Sequence, residues 1–177
     1  MVSTLPAVLG QVRASVSRLL PTQSFSVVLF GEVEGAGPST RSFSDHLVAA
    51  DSLQQDRLKT WLASALPRGR SNPLAGLRAA LAMHPQVVFV LSRSITRSVG
   101  GVWDQGKVTT LAELDALNPR DAATGKRPTL IKTIQFLEPD PTGIMQAIAE
   151  EHGSNRAASD SGPASASHRV MTAAELK

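Results

Sequence analysis

Cysteine and tyrosine are both absent from this 177-residue chain. Without cysteine there are no disulfides, no thiolate metal ligands and no cysteine nucleophile; the compartment stays open, because many exported domains also lack it. Aromatic residues make up 4% of the sequence against 42% for all hydrophobic residues, so any core must be aliphatic. Charge of one sign never accumulates in a run. The pI near 9.8 accompanies a net charge of only +3. Few groups titrate between His and Lys here, so a small Arg excess moves the pI far upward. A nucleic-acid partner is therefore not expected. Long apolar runs are missing too: the longest, Val87 to Leu91, is strand-sized, and neither a signal peptide nor a membrane span is present.

Also missing is an opening strand. Met1-Val-Ser-Thr-Leu-Pro leads directly into a helical pattern over Leu5 to Leu20, with Val8, Leu9, Val12, Val16 and Leu19 at helical spacing and Pro21 as the stop. Strand and helix signals then alternate. Phe25 to Phe30 reads as a buried strand and Gly31 to Ser39 as a loop rich in glycine. A short edge strand fits around Arg41 to Phe43 or His46 to Ala49. Asp51 and Ser52 cap a helix to about Leu66, and Pro73 starts another that breaks at Pro85. Val87 to Leu91 is the clearest buried strand, Leu111 to Leu117 a short helix, Leu130 to Leu137 a strand, and Pro141 or Thr142 opens a last helix closed by Gly153. Ser154 to Ser167 has no periodicity, and residues 158–177 read as a flexible Ser/Ala-rich tail. Strands joined by crossover helices predict an α/β fold: a Rossmann-like three-layer sandwich with a mainly parallel sheet.

Catalytic motifs are poorly represented. Gly101 to Lys107 has P-loop spacing, but Val108 stands where a magnesium-binding hydroxyl is needed and Trp103 crowds the loop. Gly35-Ala-Gly37 lacks the third glycine of a dinucleotide fingerprint. There is no Gly-x-Ser-x-Gly elbow. His46, His84, His152 and His168 have no metal-ligand spacing and read as solvated or capping residues. Glu138 and Asp140 follow a strand, where α/β folds place sites, but Asp140 or a neighbour reads more simply as a helix cap.

One pair of segments stands out. Arg68-Gly-Arg-Ser71-Asn72-Pro73 places a hydroxyl at a helix N-terminus, and Val87-Val-Phe-Val-Leu-Ser92-Arg93 follows one helix later. Together they resemble the von Willebrand factor A domain, which has a Gly-x-Thr-x-Pro-like loop and then an apolar strand ending in Leu-Ser-Asp. Ile131 to Phe136 resembles that family's fifth strand, and Ile144 to Gly153 its last helix before the final strand. The resemblance runs to about Arg156, which implies a domain over residues 1–157.

The family holds a divalent cation with an Asp-x-Ser-x-Ser motif after its first, central strand, a Thr from a second loop and an Asp from a third. Here Ser71 stands for the Thr and Arg93 for the Asp, and the first motif is missing with the central strand. A guanidinium about 4 Å from a divalent ion, at an effective dielectric near 20, would be repelled by about 8 kcal/mol. The resemblance thus implies a non-catalytic protein-binding module without metal or other cofactor, its contact face around Gly31 to Gly37, Ser71, Asn72, Ser92, Arg93 and Ser94. Arg93 would pair with an acidic group on a protein partner. Two alternatives stay open. One is a magnesium-dependent adhesion module whose first strand and acidic motif lie upstream of Met1, Met1 then being an internal methionine. The other is a nucleotide-binding Rossmann-like enzyme.

Overall fold

The computed structural model describes residues 5–33, 36–66, 71–93, 106–136, 142–155 and 167–172, without the side chains of Glu32, Val33 and Arg93. The chain is a mixed α/β protein. Among the described residues its elements run α1 (Leu5–Val16), β1 (Ser24–Phe25), β2 (Val28–Val33), β3 (Gly37–Ser42), β4 (Val48–Ala49), α2 (Ser52–Ala63), α3 (Pro73–Leu81), β5 (Val87–Arg93), α4 (Gly106–Leu117), β6 (Leu130–Phe136), α5 (Ile144–His152) and β7 (His168–Met171).

Local signals account for the starts of α2 and α3. Asp51 accepts a hydrogen bond from Gln54 N at 2.8 Å and caps α2. Asn72 does the same for α3 through Ala75 N, with Pro73 in the first turn, where its missing N–H costs nothing. At α5 the cap position is Gly143, at φ +66, and the neighbouring Thr142 Oγ1 accepts from Ile144 N at 3.3 Å; Asp140 lies outside the described residues. α4 begins at Gly106 instead of Leu111, so Gly106 and Lys107 of the P-loop-like stretch are helical. α1 stops at Val16, four residues before the expected end, where the Ser17 hydroxyl bonds the Ala14 carbonyl.

Three strands pair in parallel, in the order β5-β6-β7. The remaining pairs are antiparallel: β2 with β3, and β1 with β4. This corrects the sequence reading twice. The segment Phe25 to Phe30 is split, its first residue pairing with β4 and its end continuing as β2 to Val33. The glycine-rich "loop" from Gly31 becomes a hairpin, with Gly37 at φ +74 leading the chain back. Pro38 is tolerated for a geometric reason. Phe43 N donates to Val27 O, which marks that pair as hydrogen-bonded. Counting in twos along the register makes Glu32↔Pro38 a non-hydrogen-bonded pair, so no ladder bond is lost. β7 also falls within the stretch read as tail. Four residues with two apolar side chains give too short a pattern to separate an edge strand from a linker.

The core is divided. In the larger part, Leu74, Leu77 and Leu81 of α3 meet Val90, Ile131, Leu111 and Leu114, with Ile144, Met145 and Ile148 of α5. Thr133 Oγ1 donates to Met145 O, fixing α5 on the face of the sheet that carries Val90 and Ile131. The opposite face presents Val87 and Phe89, which are 39% and 58% exposed. In the smaller part, α1 and α2 close over Phe25 through Val16, Leu58 and Leu62. Phe43 stacks on Phe25 at 5.8 Å, and Trp61 meets Phe43 edge-on.

α3 packs on both β2 and β5, and the contact with β2 is tight at Gly76. A Cβ there would lie 2.5 Å from Phe30 Cδ1 and 3.1 Å from Phe30 Cβ. Gly76→Ala gains up to about 1 kcal/mol of helix propensity but overpacks the contact by about 1–3 kcal/mol. The expected result is a net loss near 1 kcal/mol in urea unfolding. A Gly76→Ala variant as stable as the parent would show that β2 and α3 do not meet as described.

Candidate functional site

Asn72 and Ser71 sit together at the mouth of α3. Asn72 is buried with its side chain committed to the helix cap, and this holds the preceding residue against the sheet. Ser92 is buried near the C-terminal end of β5. The two serines meet: Ser71 Oγ and Ser92 Oγ are 2.6 Å apart, a hydrogen bond between hydroxyls separated by 21 positions. The structure thus brings two residues of the expected contact face together. The backbone of Arg93 continues β5, while Ser94 lies outside the described residues. Gly31 is buried in β2 and Gly37 begins β3, so that part of the expected contact face is strand rather than loop.

Gln135 belongs beside them, and the sequence offered no signal for it. It is the register partner of Ser92 in β6, and partners in a parallel pair face the same side. The side chain is fully buried, and neither Nε2 nor Oε1 has a hydrogen-bond partner among the described residues. The C-terminal edge thus gathers two hydroxyls and an amide in an otherwise aliphatic layer. Such a set offers hydrogen-bond donors and acceptors and no nucleophile–base pair.

A second polar group lies at the other end of the helices. Asp115 on α4, Glu151 and His152 on α5 bring ligand atoms within 4.8 Å of one another. His152 is completely buried, which corrects its reading as a solvated or capping residue. Asn118 Nδ2 donates to Thr129 O at 2.8 Å, and Thr129 N donates back to Asn118 Oδ1 at 3.2 Å. That fixes the amide, so its Nδ2 also faces His152 Nδ1, at 3.4 Å. Nδ1 must accept, which leaves the ring hydrogen on Nε2, pointing toward Asp115 Oδ1 3.5 Å away. A metal at Nε2 would require the opposite tautomer. The buried Arg127 guanidinium also occupies Asp115, at 2.5 Å, and bonds the Asn118 carbonyl at 2.6 Å. The cluster is a brace between α4, α5 and the segment before β6, and its donors do not suit a cation. Burial and the Arg127 charge push the His152 pKa down to about 4, against a smaller upward pull from Asp115.

His168 is held in β7 by Thr133 Oγ1 at 2.7 Å, and His46 pairs with exposed Asp45. No helix among the described residues is long and apolar enough to cross a membrane. No protein-family model and no curated protein matches the chain.

Proposed function

We propose that the chain is a degenerate von Willebrand factor A-like domain: a non-catalytic protein-interaction module that acts without a bound metal. The observation that carries this reading is the Ser71–Ser92 hydrogen bond. It joins the mouth of α3 to the end of β5, the two places that the resemblance marks as contact loops. The order of strands is a second support. Among the described residues β2 pairs with β3, and β5, β6 and β7 form a separate sheet, while α3 packs on both β2 and β5; this is compatible with an arrangement that lacks that family's first strand. In this reading Arg93 stands in for the cation and receives a carboxylate of the partner protein, with the two serines beside it as hydrogen-bonding groups.

The convergent hydroxyls also favour a second reading. Oxygen atoms this close suit an octahedral magnesium ion if further ligands come from another segment. One experiment separates the two. A partner captured on the immobilised chain is expected to bind equally in magnesium and in EDTA. It should bind Arg93→Ala about ten- to a hundredfold more weakly, the loss for a charge-assisted hydrogen bond. Unchanged affinity for Arg93→Ala sinks the first reading, and loss of binding in EDTA supports the second.

A further inference from the structure

α1 and α2 enclose a cavity of about 110 Å3, apart from both the Ser71–Ser92 edge and the His152 brace. Its floor is apolar: Val16 of α1 and Leu58 of α2 line it, and both belong to the smaller core. Its rim is charged. Arg13 of α1 and Asp56 and Lys59 of α2 line the opening, are exposed, and form no ion pair with any described residue. Two cations and one carboxylate thus border an apolar hollow. The end of α1 adds no open acceptor for a cation. Arg13 O accepts from Ser17 N at 2.9 Å, Ala14 O from Ser17 Oγ at 3.0 Å, and Val16 O from Leu19 N at 3.0 Å. In the α2 wall, Gln55 is fixed by its Nε2 bond to Ala50 O at 3.1 Å. The donors left to an incoming molecule are the Arg13 guanidinium and the Lys59 ammonium.

We propose that this cavity binds a short aliphatic carboxylate, its chain on Val16 and Leu58 and its carboxylate at Arg13 and Lys59. Size sets the chain. A dry cavity of about 150 Å3 takes a six-carbon ring, so one of about 110 Å3 takes a chain of about four carbons. Charge sets the head group. Arginine offers paired N–H donors that match a carboxylate, and lysine adds a compact positive charge. Asp56 opposes them as the single acid of the rim, which leaves the opening with a net positive charge. Because these groups are exposed, the attraction is modest and weakens with salt. The site is built from α1 and α2 alone and stands whether or not the Ser71–Ser92 edge receives a partner.

Methyl chemical shifts of Val16 and Leu58 test this in the 177-residue chain, titrated with sodium butyrate at constant ionic strength. Both should move and saturate, with a dissociation constant in the millimolar range, the strength that so few atoms can give. Butylamine, with the same chain length and the opposite charge, should bind about tenfold more weakly. Arg13→Gln and Lys59→Gln change exposed side chains and should melt like the parent. Combined, they should weaken butyrate about tenfold, whereas Asp56→Asn should strengthen it about twofold. Three results overturn the proposal: unmoved Val16 and Leu58 methyls, equal binding of butyrate and butylamine, or unchanged affinity in the double variant. A fourth is affinity that keeps rising from butyrate to octanoate. That would describe open apolar surface, because a cavity of this size stops gaining once it is filled.

Discussion

Stability should fall by about 3 kcal/mol between pH 7 and pH 4 through His152 alone. Its folded-state pKa is near 4, against 6.5 for an unperturbed histidine. The lowered value means that, as pH drops through 6.5, the unfolded chain takes up a proton that the folded protein refuses. The stabilisation is complete above the unfolded pKa and is lost progressively as pH falls toward the folded one. The difference of about 2.5 units, at 1.36 kcal/mol per unit, gives the expected loss. Burial is the main cause, and the Arg127 and Arg120 charges add to it while Asp115 opposes them. His152→Gln cannot titrate. Its urea-unfolding free energy should therefore be flatter between pH 6.5 and 4, and the difference between the two profiles isolates this residue from carboxylates such as Asp45 and Asp121. Parallel profiles would mean that the imidazole is not excluded from water as described.

Asn118→Leu is expected to cost about 3 kcal/mol at pH 7. The amide serves both the N–H and the C=O of Thr129, and Asn118 and Thr129 are both buried. Leucine would leave two backbone groups without partners, at about 1–3 kcal/mol each. Asn118→Asp provides a sharper comparison. It keeps an acceptor for Thr129 N but sets a carboxylate against His152 Nδ1 in place of an N–H donor. The imidazolium is then favoured, and the acid-induced loss should begin at higher pH than in the parent. A loss below about 1 kcal/mol for Asn118→Leu, or an unmoved acid transition for Asn118→Asp, would show that the amide does not orient the ring.

The helices and apolar strands were legible because their signals are local. Asp51, Asn72 and Pro73 mark starts through bonds within three residues, and the unbroken apolar run from Val87 to Leu91 marks a strand, although it is not buried throughout: Val87 and Phe89 are exposed on one face. The hairpin from Gly31 to Ser42 was not legible: Pro38 and Gly37 look like loop residues until the register shows which groups need a partner. The candidate edge was half legible. Ser71 and Ser92 were set on one face only by the family resemblance of their two segments, whereas Gln135 is an ordinary strand glutamine until it is found buried as the register partner of Ser92.

By itself the sequence determined the alternation of helix and strand, the aliphatic character of the core and the exclusion of cysteine chemistry, all of which depend on composition or on residues a few positions apart. Tertiary structure alone decided the rest. It split Phe25–Phe30 between two strand pairs, buried His152 with Arg127 and Asn118, and packed α3 on both β2 and β5, strands of separate sheets. Each of these outcomes joins segments far apart in the chain, where backbone pairing and burial override what any local stretch prefers.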